Sequence, residues 1–178
     1  MNKFKKILLL LSILNALIFP ESLQSVYDSS EPSNGYDNHL ILDPNILYTG
    51  GIGIFEGDVL IDCNGAIIDL NNQSGIWVYA DNQTPASLDI QYCNIINGEY
   101  YALSYGGTST GLISNCNLIR NAYGIKLFDN SYVNIENTNI IDNEIYGVAI
   151  YSTTPTCIIN YTNSWNNGEA DWMENCPG

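Results

Sequence analysis

Two short phrases return every 22 to 24 residues over most of the chain, separated by Asn- and Gly-rich corners. Together they predict an all-β solenoid, a parallel β-helix of about five coils. The first phrase reads SGIWVYAD from Ser74, YALSYG from Tyr101, YGIKLF from Tyr123 and YGVAIY from Tyr146. Its copies align on Gly75, Ala102, Gly124 and Gly147, at intervals of 27, 22 and 23. The second reads IDCNGAII, IQYCNII, ISNCNLI, IENTNII and, more weakly, INYTNSW. Its small central residue is Cys63, Cys93, Cys116, Thr138 and Thr162, at intervals of 30, 23, 22 and 24. Leucine-rich repeats need a Leu framework, and helical repeats need longer, helix-favouring units. Here each unit is a pair of apolar stretches of period two. One unit cannot bury its inner face, but units stacked in register about 4.8 Å apart share a core.

Composition agrees with strands and turns. The 178 residues suffice for one domain, and 46% hydrophobic against 13% charged residues allows a buried core. Asn, Ile and 13 Tyr favour strands and turns over helices. Alternation then sorts the side chains. Ile76, Leu103, Ile125 and Val148 form one inward column, and Val78, Tyr105, Leu127 and Ile150 the next. Facing out are Trp77, Ser104, Lys126 and Ala149, then Tyr79, Gly106, Phe128 and Tyr151. Asn121, Asn143 and Asn167 recur at one corner, where stacked amides bond to each other and to the turn backbone. That column reads as structural.

The ends differ from the repeats. MNKFKK followed by the apolar run ILLLLSILNALIF reads as a secretory signal peptide over residues 1–21, since the run is shorter than the about 20 residues of a bilayer span. Residues 22–56 read as an irregular N-terminal cap with entry strands, and 57–178 as the β-helix. The tail SWNNGEADWMENCPG resembles the start of a further coil, which points to a chain truncated at Gly178. A leader of this kind places the mature protein outside the cytoplasm: secreted, periplasmic or at the cell surface, with no transmembrane segment after cleavage. It also removes Lys3, Lys5 and Lys6, leaving Arg120 and Lys126 as the remaining basic side chains of a chain whose net charge is −14. Nucleic acid and anionic membranes need a basic patch, so both are excluded as partners. Polyuronic acids, being anionic, become poor ligands for the same reason unless a divalent cation intervenes.

The series IDCNGAIIDL, LDIQYCNIINGEYYALSY, ISNCNLIRNAYGIKLF and VNIENTNIIDNEIYGVAIY resembles the right-handed parallel β-helix repeat superfamily, which includes pectate-lyase-like and NosD-like proteins. The resemblance covers about Glu56 to Asn167. It implies a right-handed coil, and an architecture that hosts lyases, glycoside hydrolases, adhesins and inert scaffolds. Hydrolases of the polygalacturonase type use clustered Asp with a His and a basic residue. The lone His39 precedes the repeats, and the coils lack the acidic pairs. Pectate-lyase-like chemistry needs an Arg or Lys base beside Ca²⁺. Arg120 and Lys126, with Asp129, Asp142 and Glu144 nearby, form the one coil that offers it, although a solvated corner and strand account for both cations.

The outward aromatics suggest different chemistry. Trp77, Tyr79, Phe128 and Tyr151, with Ser104 and Lys126 as donors, suit stacking on neutral sugar rings, whose C–H faces are apolar. Packing against a loop or neighbour is the plainer account of the same rings. The expected function is therefore a structural or carbohydrate-binding module of the envelope, its partner a neutral polysaccharide or cell-surface glycan, with a polysaccharide lyase or hydrolase as the alternative. No catalytic residue is assigned. No cofactor motif is present, and the carboxylates permit Ca²⁺ only generically, with no D-x-[DN]-x-[DN]-G loop. N-x-[ST] triplets at Asn72, Asn82 and Asn160 matter only in a glycosylating host. Of the five cysteines, Cys63, Cys93 and Cys116 read as an inward stack, and Cys157 with Cys176 as the expected disulfide.

Overall fold

The computed structural model describes residues 20–174, 176 and 177. The expected signal peptide, apart from its last two residues, lies outside them. Three parallel sheets wind around one core. The first stacks β1 (Glu21–Ser22), β3 (Leu47–Thr49), β6 (Ile67–Asp69), β9 (Asn94–Ile96), β12 (Asn117–Ile119), β15 (Asn139–Ile141) and β18 (Asn163–Trp165). The second stacks β4 (Gly53–Ile54), β7 (Ile76–Ala80), β10 (Leu103–Gly107), β13 (Tyr123–Leu127), β16 (Tyr146–Ile150) and β19 (Ala170–Trp172). The third stacks β2 (Asn38–Ile41), β5 (Gly57–Asp62), β8 (Ala86–Gln91), β11 (Thr110–Ser114), β14 (Tyr132–Glu136) and β17 (Thr156–Asn160).

The register reproduces the expected columns. Leu103 pairs with Ile76 and Ile125, and Ile125 pairs with Val148. All four are fully buried, as are Tyr105 and Leu127 in the neighbouring column. There are about six coils rather than five, because the segment expected to cap the solenoid already forms a rung: β2 pairs with β5, β3 with β6 and β4 with β7. Capping falls to α1 (Leu23–Ser29), which starts at Ser22, whose hydroxyl accepts the Ser25 N–H, and drives Leu23 into the core.

Two corners per coil are left-handed, which accounts for the abundance of Asn. Asn97, Arg120, Asp142 and Asn166 hold φ of 60, 56, 56 and 59°. Tyr92, Asn115, Asn137 and Tyr161 hold φ of 55, 54, 46 and 50°. Asn and Asp tolerate this region better than other L-residues. Behind the first corner runs an amide ladder. The Asn143 Oδ1 accepts from the Asn121 backbone N–H at 3.0 Å, and the Asn167 Oδ1 accepts from Asn143 N–H at 3.0 Å. The side-chain amides continue the chain, Asn143 Nδ2 donating to Asn167 Oδ1 at 2.8 Å. All three are buried, so the column is structural.

One expected alignment is corrected. Asn94, Asn117, Asn139 and Asn163 are in register, and the N–H of Asn94 bonds to the carbonyl of Ala66, as that of Asn117 does to Cys93. Ala66, not Cys63, therefore precedes Cys93 in the column. The three residues of offset are a tight turn at Asn64–Gly65, with φ of 49 and 93°. Two consecutive positive φ values are what an Asn-Gly pair supplies without strain.

Candidate functional site

The outward face of the second sheet carries the expected aromatics, and the register places them as the alternation requires. Ser104 lies between Trp77 and Lys126, and Gly106 beside Tyr79. Trp77, Tyr79, Ser104 and Phe128 converge on a cleft of about 260 Å³, which Tyr101 and Asp129 complete. Trp77 stays 37% exposed and Tyr79 43%, although Phe55 meets the indole edge-on at a centroid distance of 4.7 Å. Gly106 gives the Tyr79 ring room: a Cβ there would lie 3.2 Å from Tyr79 Cδ2, so the ring would have to shift slightly. Asp129 Oδ2 accepts the Gly107 N–H at 3.0 Å, which fixes the carboxylate at the cleft rim.

Lys126 and Tyr151 belong to an adjoining aromatic cluster. The Lys126 Nζ lies 4.0 Å from the centre of the Tyr123 ring, 5.0 Å from Tyr151 and 5.6 Å from Phe128. These rings satisfy the cation and partly desolvate it, and burial lowers its pKa. The Tyr151 hydroxyl donates to that of Tyr123 at 2.9 Å, and its ring stacks on Phe128 with centroids 5.4 Å apart. Phe128 is thus a wall shared by cleft and cluster. Ser104 and Ala149, although on outward positions, are buried. Tyr101, Tyr123 and Tyr146 were not among the expected site residues, and Asp129 was considered only beside Arg120 and Lys126. These three tyrosines open the repeated phrase in three of its four copies, so a readable signal was present.

The two cations weighed for the lyase alternative lie in different settings. Arg120 is exposed on a left-handed corner, whereas Lys126 is enclosed by rings. His39 sits on β2, in a different sheet, with Nδ1 3.4 Å from the Asn34 amide. Among the described residues no group of three His, Cys, Asp or Glu side chains is placed to hold a metal. No helix among them is long and apolar enough to cross a membrane.

The disulfide also differs from expectation. Cys63 is bonded to Cys93 with Cα atoms 4.9 Å apart, while Cys157 and Cys176 are free thiols. The Asn64–Gly65 turn explains this, for it turns Cys63 back onto the neighbouring rung at a bridging separation. The Cys176 thiol instead donates to the Val148 carbonyl at 3.2 Å. Burial pushes Cys157 up to about 12 and Cys176 up to about 11, so neither is an activated thiolate.

Three-sheet parallel coiling with stacked corner amides defines a β-solenoid protein. The family model described as the right-handed beta helix region matches residues 33–175, and the chain belongs to that family. No curated protein and no solved structure matches it.

Proposed function

We propose that this chain is an exported β-helix module that binds neutral carbohydrate on the outward face of its second sheet. The observation that carries the reading is the convergence of Trp77, Tyr79 and Phe128 on one cleft, with the polar Ser104 and Asp129 at its floor and rim. Exposed indole and phenol rings provide flat apolar surface for the C–H face of a sugar, and a few polar groups orient its hydroxyls. The net charge of −14 favours an uncharged glycan over a uronate. Lys126 serves by holding Phe128 and Tyr151 in place and offers its remaining N–H groups at the edge. Export rests on the basic and apolar residues 1–21.

Isothermal titration with neutral oligosaccharides tests the reading, comparing wild type with Trp77→Ala/Tyr79→Ala. Stacking on two rings predicts at least about ten-fold weaker binding in the double variant. Equal affinity would assign these aromatics to packing and make the module structural.

A further inference from the structure

A second concavity, of about 400 Å³, lies at the corner between the third sheet and the first. It is larger than the aromatic cleft, and its lining is Asn64, Gly65, Tyr92, Asn94, Asn115 and Asn117. None of these carries charge, in a chain with 19 acidic side chains.

The amides here form an outer ladder that contrasts with the buried one. Asn94 Nδ2 donates to the Gly65 carbonyl at 2.9 Å, Asn117 Nδ2 to Asn94 Oδ1 at 2.7 Å, and Asn139 Nδ2 to Asn117 Oδ1 at 2.9 Å. In the buried ladder Asn143 spends both amide hydrogens and accepts two bonds. Asn117 spends one hydrogen and accepts one bond, which leaves one N–H and one lone pair without a partner among the described residues, at the lining of the groove. The ladder fixes that pair's direction, so a ligand would not have to order the side chain. Asn115 has its whole amide free of side-chain hydrogen bonds among the described residues.

Tyr92 supplies the apolar element. The residue is 49% exposed beside these amides, so about half of its surface is open to a ligand. Its backbone is left-handed at a corner that the later rungs fill with Asn115, Asn137 and Tyr161. Tyr is a poor choice for that conformation and Asn a good one. What sets Tyr92 apart from Tyr161 is its place in the groove, where its exposed side chain flanks the amides.

We propose that this corner groove is a second binding site, independent of the aromatic face, for a neutral saccharide. A fixed N–H beside a fixed carbonyl oxygen matches two adjacent hydroxyls of a sugar ring, one accepting and one donating. The Tyr92 ring covers the sugar's C–H face. The volume falls within the about 300–1,000 Å³ usual for small-molecule sites. Uncharged lining in an acidic surround selects against uronates.

Titration of ¹⁵N-labelled protein with cello-, xylo- and mannotetraose, and with tetragalacturonate as charged control, locates each site by NMR. At least one neutral tetrasaccharide is expected to shift the side-chain NH₂ signals of Asn94, Asn115 and Asn117. Tyr92→Asn places at the corner the residue its neighbours use, so it should fold, and it is expected to weaken this binding about ten-fold. Trp77→Ala/Tyr79→Ala should leave it unchanged. Shifts confined to the aromatic face, no shift with any neutral tetrasaccharide, or equal response to tetragalacturonate would each overturn the proposal. The two sites are read by separate signals, so failure of one leaves the other standing.

Discussion

Replacing Asn143 by Ala tests whether the buried amide ladder holds the rungs together. The Asn143 side chain makes four hydrogen bonds while 1% exposed. It donates to Leu118 O at 3.2 Å and Asn167 Oδ1 at 2.8 Å, and accepts from the N–H and Nδ2 of Asn121 at 3.0 and 3.2 Å. Truncation orphans the Asn121 N–H, at a cost of about 1–3 kcal/mol. The other three groups each lose one partner, at about 0.5–1.5 kcal/mol apiece, but Asn121 Nδ2 keeps Ile95 O and Asn167 Oδ1 keeps the Asn143 N–H. The expected loss is therefore about 3–6 kcal/mol, against about 0.5 for Asn139→Ala in the exposed outer ladder. Urea denaturation followed by tryptophan fluorescence and far-UV circular dichroism measures both. Asn143→Asp refines the test, because a carboxylate would face two acceptors and fold only when protonated. Its folded pKa lies above the ordinary value of about 3.9, so its deficit should be small below that pH and grow as pH rises. A loss under about 1 kcal/mol for Asn143→Ala, or one equal to that of Asn139→Ala, would refute the ladder's role.

Non-reducing peptide mapping should join Cys63 to Cys93, with the buried Cys116 and Cys157 alkylated only after unfolding. Opening this 30-residue separation with Cys63→Ala/Cys93→Ala should cost about 2–4 kcal/mol, and recovery of a Cys157–Cys176 peptide would overturn the assignment. The Tyr36 hydroxyl donates to Asp89 at 2.7 Å, and that bond, with burial, pushes its pKa from the ordinary 10.0 up to about 12. Its folded pKa is raised, so the contribution is whole below pH 10 and fades as pH climbs toward about 12. The stability gap between wild type and Tyr36→Phe should shrink across that window, and a pH-independent gap would disprove the linkage.

The parts of the fold that repeat at constant length were legible, and the parts that insert residues were not. Ile76, Leu103, Ile125 and Val148 could be placed because period two and a 22–24-residue return leave one consistent inward set. Cys63 could not, since Asn64–Gly65 looks like any other corner until its two positive φ values show three residues spent on a turn. That same turn creates the disulfide, which a straight stack of cysteines would not suggest. The first coil escaped notice because His39, Leu40 and Ile41 carry no copy of the repeated phrase, although their pairing with Leu60, Ile61 and Asp62 is regular. For the candidate face, alternation identified which side chains point outward. It could not reveal that Lys126 folds over Tyr123, for side-chain rotamers are set by neighbours on other rungs.

Because each rung touches only the ones directly above and below, a coil such as Ala122 to Asn143 is a self-contained tile. Duplicating that tile in tandem would repeat the rung-to-rung backbone hydrogen-bond pattern and lengthen the molecule by about 4.8 Å. Each added tile brings another Tyr–Gly entry and another corner amide, already in register with the last. Such a molecule can grow by whole steps, like a ruler, while its cross-section stays the same.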